Sequence, residues 1–342
     1  MPTLMDVAKL AGVSHGTVSN VFIHPERVRP ELREHVEAAA RQIGFQGPDP
    51  KGRLLRDGKV NAIGVVPAGG FGVADTLSNP VFRQLLLGIS EVCDDASASL
   101  VIIPDRKGNG GIRTALVDGF ILSRVDQVHE IESARLRRLP FVVIDGDPGP
   151  DVNSVRADAR GGAYQAARHL IDLGHRHFGI ISFLRDFGPP ILHMAGKRRD
   201  PTAAGMAIDQ DKLIGFAEAF AEAGIDIDAV PMVQAHPWED KAAGAMLDAA
   251  PQATAILSMS AMQAVSVSRE AQRRGLSVPR DLSVVGYNDT PEAAAAGLTT
   301  VDGKGMEKGR AAARILFEGG AVRREFIETQ LIIRASTASP LS

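Results

Sequence analysis

The sequence predicts an all-α helix-turn-helix head followed by a larger α/β body, and three observations carry that prediction. The run Thr3–Asn20 combines helix caps, apolar positions at helical spacing and one glycine, which describes two short helices meeting at a tight corner. From Ala62 onward, short apolar runs alternate with amphipathic helical stretches, the pattern of parallel sheets covered by helices. The chain has 342 residues, too many for one small domain and a fit for a head plus a body of one or two lobes.

In the head, Thr3 suits an N-cap with Asp6 three residues on, and Leu4, Val7, Ala8 and Ala11 share one helical face before Gly12 stops the helix. Ser14 can cap a second helix that buries Val18, Val21 and Phe22 and turns His15, Gly16, Ser19 and Asn20 outward. A third helix starts at Pro30 and runs through Leu32, Val36, Ala39, Ala40 and Ile43 to Gly44. Three such helices around one small core make a domain whose second helix enters the DNA major groove. Spacing alone also fits a helical hairpin with a glycine turn.

In the body, the runs are Ala62–Val66, Leu100–Pro104, Gly119–Leu122, Phe141–Asp145, Phe178–Ser182, Ala255–Met259 and Ser283–Tyr287, with a last strand at Phe326–Arg334. The intervening helices are Pro80–Ala96, Gly161–Leu173, Lys212–Ala223, Ala261–Arg274 and Met306–Phe317. In sheets of this kind ligands bind beyond the carboxyl ends of the strands.

Through Lys59 the chain carries nine Lys/Arg against seven Asp/Glu, while the whole chain has a net charge of −3, so a slightly basic head sits on an acidic body. The single cysteine, Cys93, excludes an intramolecular disulfide and a cysteine-based zinc site, and reads as a buried core residue. No signal peptide and no run of about 20 apolar residues is present, so a cytoplasmic protein without a membrane partner is expected.

The wording of the head resembles the lactose-repressor (LacI/GalR) family of bacterial transcription regulators, through Asp6-Val-Ala-Lys-Leu-Ala-Gly-Val-Ser-His-Gly-Thr-Val-Ser-Asn-Val21. The segment Pro48–Gly58 resembles the family's hinge helix, and further landmarks are Ser78-Asn-Pro80, His169–His175, Ser283–Asp289 and Leu298–Val301. The resemblance implies a head at 1–46, a hinge at 47–59 and a periplasmic-binding-protein-like body at 60–342, built as two doubly wound parallel sheets. Its lobes fall at about 60–158 with 289–320, and 159–288 with 321–338, the chain crossing near Asp158, Asn288 and Gly320. Gly174 reads as a helix stop and His175 as a residue packed beside it.

The resemblance further implies a homodimer, without a tetramerising helix, that reads a pseudo-palindromic operator. His15, Gly16 and Asn20 are the base-reading positions, and Leu55 is the apolar wedge of a hinge helix that forms only on DNA. Asn20 suits an adenine edge and His15 a guanine acceptor, whereas Gly16 offers only backbone. Thr3, Ser14, Thr17, Ser19, Arg27 and Arg29 are phosphate contacts. A ligand that alters the lobe angle would couple to operator affinity, by default as an inducer that releases DNA.

The effector candidates, at strand ends or by resemblance, are Phe71, Asn79, Asp105, Ser123, Asp147, Arg156, Lys212, Trp238 and Asp289. Three positions depart from the family pattern: Ala159 stands for a common asparagine, Lys212 for an arginine, and Ser260-Ala261 for Asn-Asp. The lost acid removes an acceptor for sugar hydroxyls. A sugar or sugar derivative remains the expected effector, and Lys197, Arg198 and Arg199 leave an anionic one open against their reading as a solvated loop. Trp238 reads either as a sugar-stacking ring or as interlobe packing. No cofactor or metal is implied. The glycines of Gly64–Gly72 do not form a dinucleotide fingerprint, and neither a phosphate loop nor HExxH occurs, which speaks against an enzyme. The remaining alternative is a small-molecule-binding protein of the same fold with little DNA function.

Overall fold

The computed structural model describes residues 2–47, 58–67, 72–104, 110–123, 128–184, 188–196, 206–237, 239 and 241–341. The chain divides into two compact units, Met1–Val60 and Asn61–Ser342. The hinge segment around Leu55 and the candidates Phe71, Asp105 and Trp238 lie outside the described residues, as do Lys197, Arg198 and Arg199.

The first unit contains α1 (Leu4–Ala11), α2 (His15–Ile23) and α3 (Pro30–Gln42). Thr3 and Asp6 close a reciprocal capping box, with the Thr3 amide donating to Asp6 Oδ2 at 2.8 Å and the Asp6 amide to Thr3 Oγ1 at 3.3 Å. Gly12, at φ +65°, ends α1 in the left-handed conformation that glycine adopts without strain. The three helices bury Val7, Ala8, Ala11, Val18, Val21, Val36, Ala39 and Ala40. Half-buried Phe22 meets Phe45 edge to face at 5.4 Å.

The second unit holds two sheets. Its first half runs β1 (Ala62–Val66), α4 (Val73–Ser78), α5 (Pro80–Asp95), β2 (Ser99–Ile102), α6 (Gly111–Thr114), β3 (Gly119–Ser123), α7 (Val128–Leu136), β4 (Phe141–Ile144) and β5 (Asn153–Ala157). The chain then passes through α8 (Ala159–Asp172), β6 (Phe178–Phe183), β7 (Ile191–His193), α9 (Ala207–Glu222), β8 (Met232–Ala235), α10 (Lys241–Ala249), β9 (Ala255–Ser258), α11 (Ala261–Arg273), β10 (Ser283–Tyr287) and α12 (Pro291–Ala295). It ends with β11 (Thr299–Asp302), α13 (Gly305–Glu318), β12 (Arg324–Ile327) and β13 (Gln330–Ile332).

The N-lobe sheet has the order β12-β5-β4-β3-β1-β2 and the C-lobe sheet the order β13-β11-β10-β9-β6-β8-β7. All pairings are parallel except β11 with β13 and β7 with β8. Helices α5 and α13 cover one face of the N-lobe sheet through Phe82, Leu85, Ile89, Ala312 and Ile315. Helices α8 and α9 cover one face of the C-lobe sheet, and α10 and α11 the other.

Two lobe assignments need correction. Residues 289–320 were expected in the N-lobe, yet β11 pairs with β10 in the C-lobe sheet, so the second crossing falls after Asp302 rather than at Asn288. The run Phe326–Arg334 is two strands: β12 extends the N-lobe sheet beside β5, and β13 caps the C-lobe sheet beside β11. The third crossing therefore lies between Ile327 and Gln330, not at Gly320. Apolar alternation specifies a strand but not its partner, so one run can serve two sheets.

Candidate nucleic-acid interface and effector cleft

The exposed face of α2 follows from how the helix is anchored. Ser14 Oγ accepts the Thr17 amide at 3.0 Å and lies 2.8 Å from the Thr17 hydroxyl, which starts the helix at His15. Val18 and Val21 point into the core, leaving His15, Gly16 and Asn20 exposed together on the opposite side. Ser19 is half-buried, and Arg27 and Arg29 are exposed after the helix. Arg27 Nε lies 3.6 Å from the exposed Glu26 carboxylate, a pairing weak enough to exchange for another anion. Hydrogen bonds from Thr3 hold the Asp6 carboxyl below its ordinary range, so this acid stays charged at the positive end of α1.

In the second unit the carboxyl ends of strands from both lobes converge. Asp145 follows β4 at φ +55°; its carboxylate accepts the Ala157 amide and pairs with Lys308 of α13, both side chains being buried. Arg156, on β5 of the N-lobe, donates to Asp211 of α9 in the C-lobe at 2.7 Å. From the C-lobe, the Tyr287 hydroxyl donates to the Ala159 carbonyl at 3.3 Å. Burial raises the Tyr287 phenol far above its ordinary range, and Asp145, Asp158 and Asp211 push the same way.

Lys212 is 2% exposed, inside α9 rather than at its start, because Met206 and Asp209 cap the helix so that it begins at Ala207, five residues earlier than the apolar pattern indicates. Its Nζ donates to the Met259 carbonyl at 3.3 Å, lies 3.5 Å from Asp209, and sits 4.4 Å from the Tyr287 ring and 5.2 Å from that of Phe183. A cation so placed forms the floor of the convergent region.

Several other candidates are already committed. Asn79 Oδ1 accepts the amides of Val81 and Phe82, making it the N-cap of α5. Asp289 is held by Arg334 and Thr300. Asp147 is exposed and lies 3.4 Å from Arg324, and Ser123 is buried at the end of β3. Sequence reasoning did not single out Asp145, Asp209, Asp211, Tyr287 or Lys308. The first and fourth were signalled by their strand-end positions, whereas Lys308 sits inside an ordinary amphipathic helix and carries no such signal.

Residues 3–47 match the model of bacterial regulatory proteins of the lacI family, and residues 167–337 that of a periplasmic binding protein-like domain. An HTH-type transcriptional regulator of Mycobacterium tuberculosis is 30% identical over 355 residues, covering 99% of this chain and 97% of its own. The HTH-type transcriptional repressor CytR of Escherichia coli is 28% identical, covering 98% and 96%. Among solved structures, the lac repressor dimer bound to operator and an anti-inducer shares the fold, with TM-score 0.76, 23% identity and coverage of 98% and 99%. A complex of the transcriptional regulator CelR with cellobiose aligns with TM-score 0.66, 25% identity and coverage of 98% and 100%. The chain belongs to the lacI family of bacterial regulatory proteins and is a DNA-binding transcriptional regulator.

Proposed function

We propose that the protein acts as a homodimer, reads a pseudo-palindromic operator through its two heads, and releases it when a small sugar-like effector enters between the lobes. The observation that carries this reading is the exposed trio His15, Gly16 and Asn20 on a capped, well-packed α2. Asn20 and His15 supply direct base contacts, with Thr3, Ser14, Thr17, Ser19, Arg27 and Arg29 on phosphates and Leu55 as the minor-groove wedge. The hydroxyls of Thr3 and Ser14 serve their caps, so their phosphate contacts would be shared ones. Support for the assembly comes from the structurally similar lac repressor, described as a dimer on its operator. Support for the effector class comes from similar regulators described with cellobiose and with bound ribose.

The effector region of this reading combines Arg156, Lys212 and Ser123 with Asp145 and Tyr287. Its buried charges are paired, Lys212 with Asp209 and Lys308 with Asp145, which favours a neutral polar effector over an anionic one. A regulator of this kind works in the compartment that holds the DNA. The test is retention of fragmented genomic DNA by the full-length protein at near-physiological salt. Enrichment of a few pseudo-palindromes with a deformable central step is expected. Uniform retention of all fragments would overturn the reading.

A further inference from the structure

The corner that directly follows β10 is a second point at which the two lobes meet. Asn288, at φ +69°, turns the chain, and the Asp289 carboxylate is gripped by Arg334 through two hydrogen bonds of 2.6 and 2.9 Å and by the Thr300 hydroxyl at 2.6 Å. Arg334 also donates to the Leu298 carbonyl at 2.8 Å, so the corner is fixed to the C-lobe at several points. Burial pushes the Asp289 carboxyl up, yet the bonds from Arg334 and Thr300 hold it below its ordinary range.

The N-lobe reaches this corner from the start of α5. Gln84 Nε2 donates to the Asp289 carbonyl at 2.8 Å, and Arg83 Nη2 donates to Glu292 Oε1 at 2.5 Å in the first turn of α12. Arg83 also donates to the carbonyls of Leu77 and Ser78, which ties α4 into the same contact. Gln84 is wedged against α13, since a Cβ on Gly305 would lie only 3.0 Å from its own Cβ. Both sides of the contact are thus braced within their own lobes before they meet.

We propose that Arg83 and Gln84, closing on Glu292 and Asp289, form an interlobe clasp that selects one lobe angle in the unliganded protein, with Arg334 as its positioning residue. This rests on the reading that lobe angle controls operator release. A rotation of one lobe against the other must break two directional bonds whose anchors cannot follow. The clasp therefore lowers the population of the alternative lobe state, and an effector has to overcome it by its preference for that state.

The test uses the full-length protein with spin labels on Glu132→Cys in α7 and Ala221→Cys in α9, one exposed site on each lobe. Labelled chains are diluted into unlabelled protein so that distances within one chain are read by pulsed electron paramagnetic resonance. Cys93 is buried with its thiol pushed up to about 11, so it does not take the label. The variant Glu292→Gln combined with Gln84→Leu is expected to broaden the interlobe distance distribution or shift its maximum. Arg310→Gln, which breaks the α13–α5 ion pair with Glu91 inside the N-lobe, is expected to leave it unchanged. A double variant whose distribution superimposes on that of the wild type, or an Arg310→Gln variant that changes it equally, would overturn the clasp. The readout needs neither operator nor effector, so it can fail while the DNA reading stands, and the reverse.

Discussion

Gly16 is an exposed residue whose lack of a side chain is not demanded by its backbone. A Cβ there would meet only Ser14 Oγ, at 3.8 Å, and its φ is not in the left-handed region. Glycine inside a helix costs about 1 kcal/mol relative to alanine, so a larger residue at this position should not weaken the head. Gly16→Gln is expected to keep the helical circular dichroism and melting temperature of the wild type while changing which operators are retained, because an amide can pair with an adenine edge. Unchanged operator preference would show that this face of α2 does not read bases. At the same scale, the outward direction of His15 and Asn20 was legible from helical spacing alone. The commitment of Asn79 to capping was not, because an asparagine before Pro80 looks the same whether its oxygen faces two amides or a ligand.

Among the elements, two helix pairs pack with backbone against backbone, and glycines allow it. On α5, a Cβ at Gly88 would come within 2.1 Å of the Met306 carbonyl of α13, and one at Gly309 of α13 within 2.3 Å of the Leu85 carbonyl. The C-lobe repeats this between α8 and α9, where a Cβ at Gly215 would meet the Arg160 carbonyl at 2.2 Å. The obstacle in each case is backbone, which cannot rotate away. Gly88→Ala is therefore expected to destabilise the body by about 1–3 kcal/mol, checked by denaturant unfolding. The amphipathic patterns of α5, α8 and α13 predicted these helices to within a few residues, since core-facing positions recur every three or four residues. Nothing in that periodicity distinguishes a glycine that ends a helix, such as Gly174, from one that another backbone crosses. The split of Phe326–Arg334 into β12 and β13 escaped for a related reason, as each half was a good strand and only their neighbours differed.

For the whole molecule, the C-terminal segment closes the C-lobe around buried His175 and half-buried His169, and this ties stability to pH. His175 Nε2 lies 2.8 Å from the Ala338 carbonyl, which can only accept, so Nε2 carries the proton and Nδ1 accepts from the Thr254 hydroxyl at 2.8 Å. His169 reaches Thr337 at 2.9 Å. Burial lowers the pKa of both histidines below the ordinary 6.5. The unfolded chain then binds more protons than the folded one as pH falls below 6.5, so their contribution is intact above 6.5 and is lost between there and the lowered folded values. Urea unfolding should show stability falling through that window, with a shallower slope in His175→Gln; an equal slope would assign the dependence elsewhere.

Local chemistry determined the caps and turns of the head, the exposed face of α2, the alternation of strands and helices in the body, and the family to which these belong. Those features depend on neighbours within about four residues, which the sequence displays directly. Tertiary structure alone decided which sheet β11, β12 and β13 join, how Lys212 comes to lie under Tyr287, and how Arg83 and Gln84 meet a corner some two hundred residues away. Each is a contact between segments whose local patterns are satisfied in more than one arrangement. The choice among arrangements is made by the packing of whole elements.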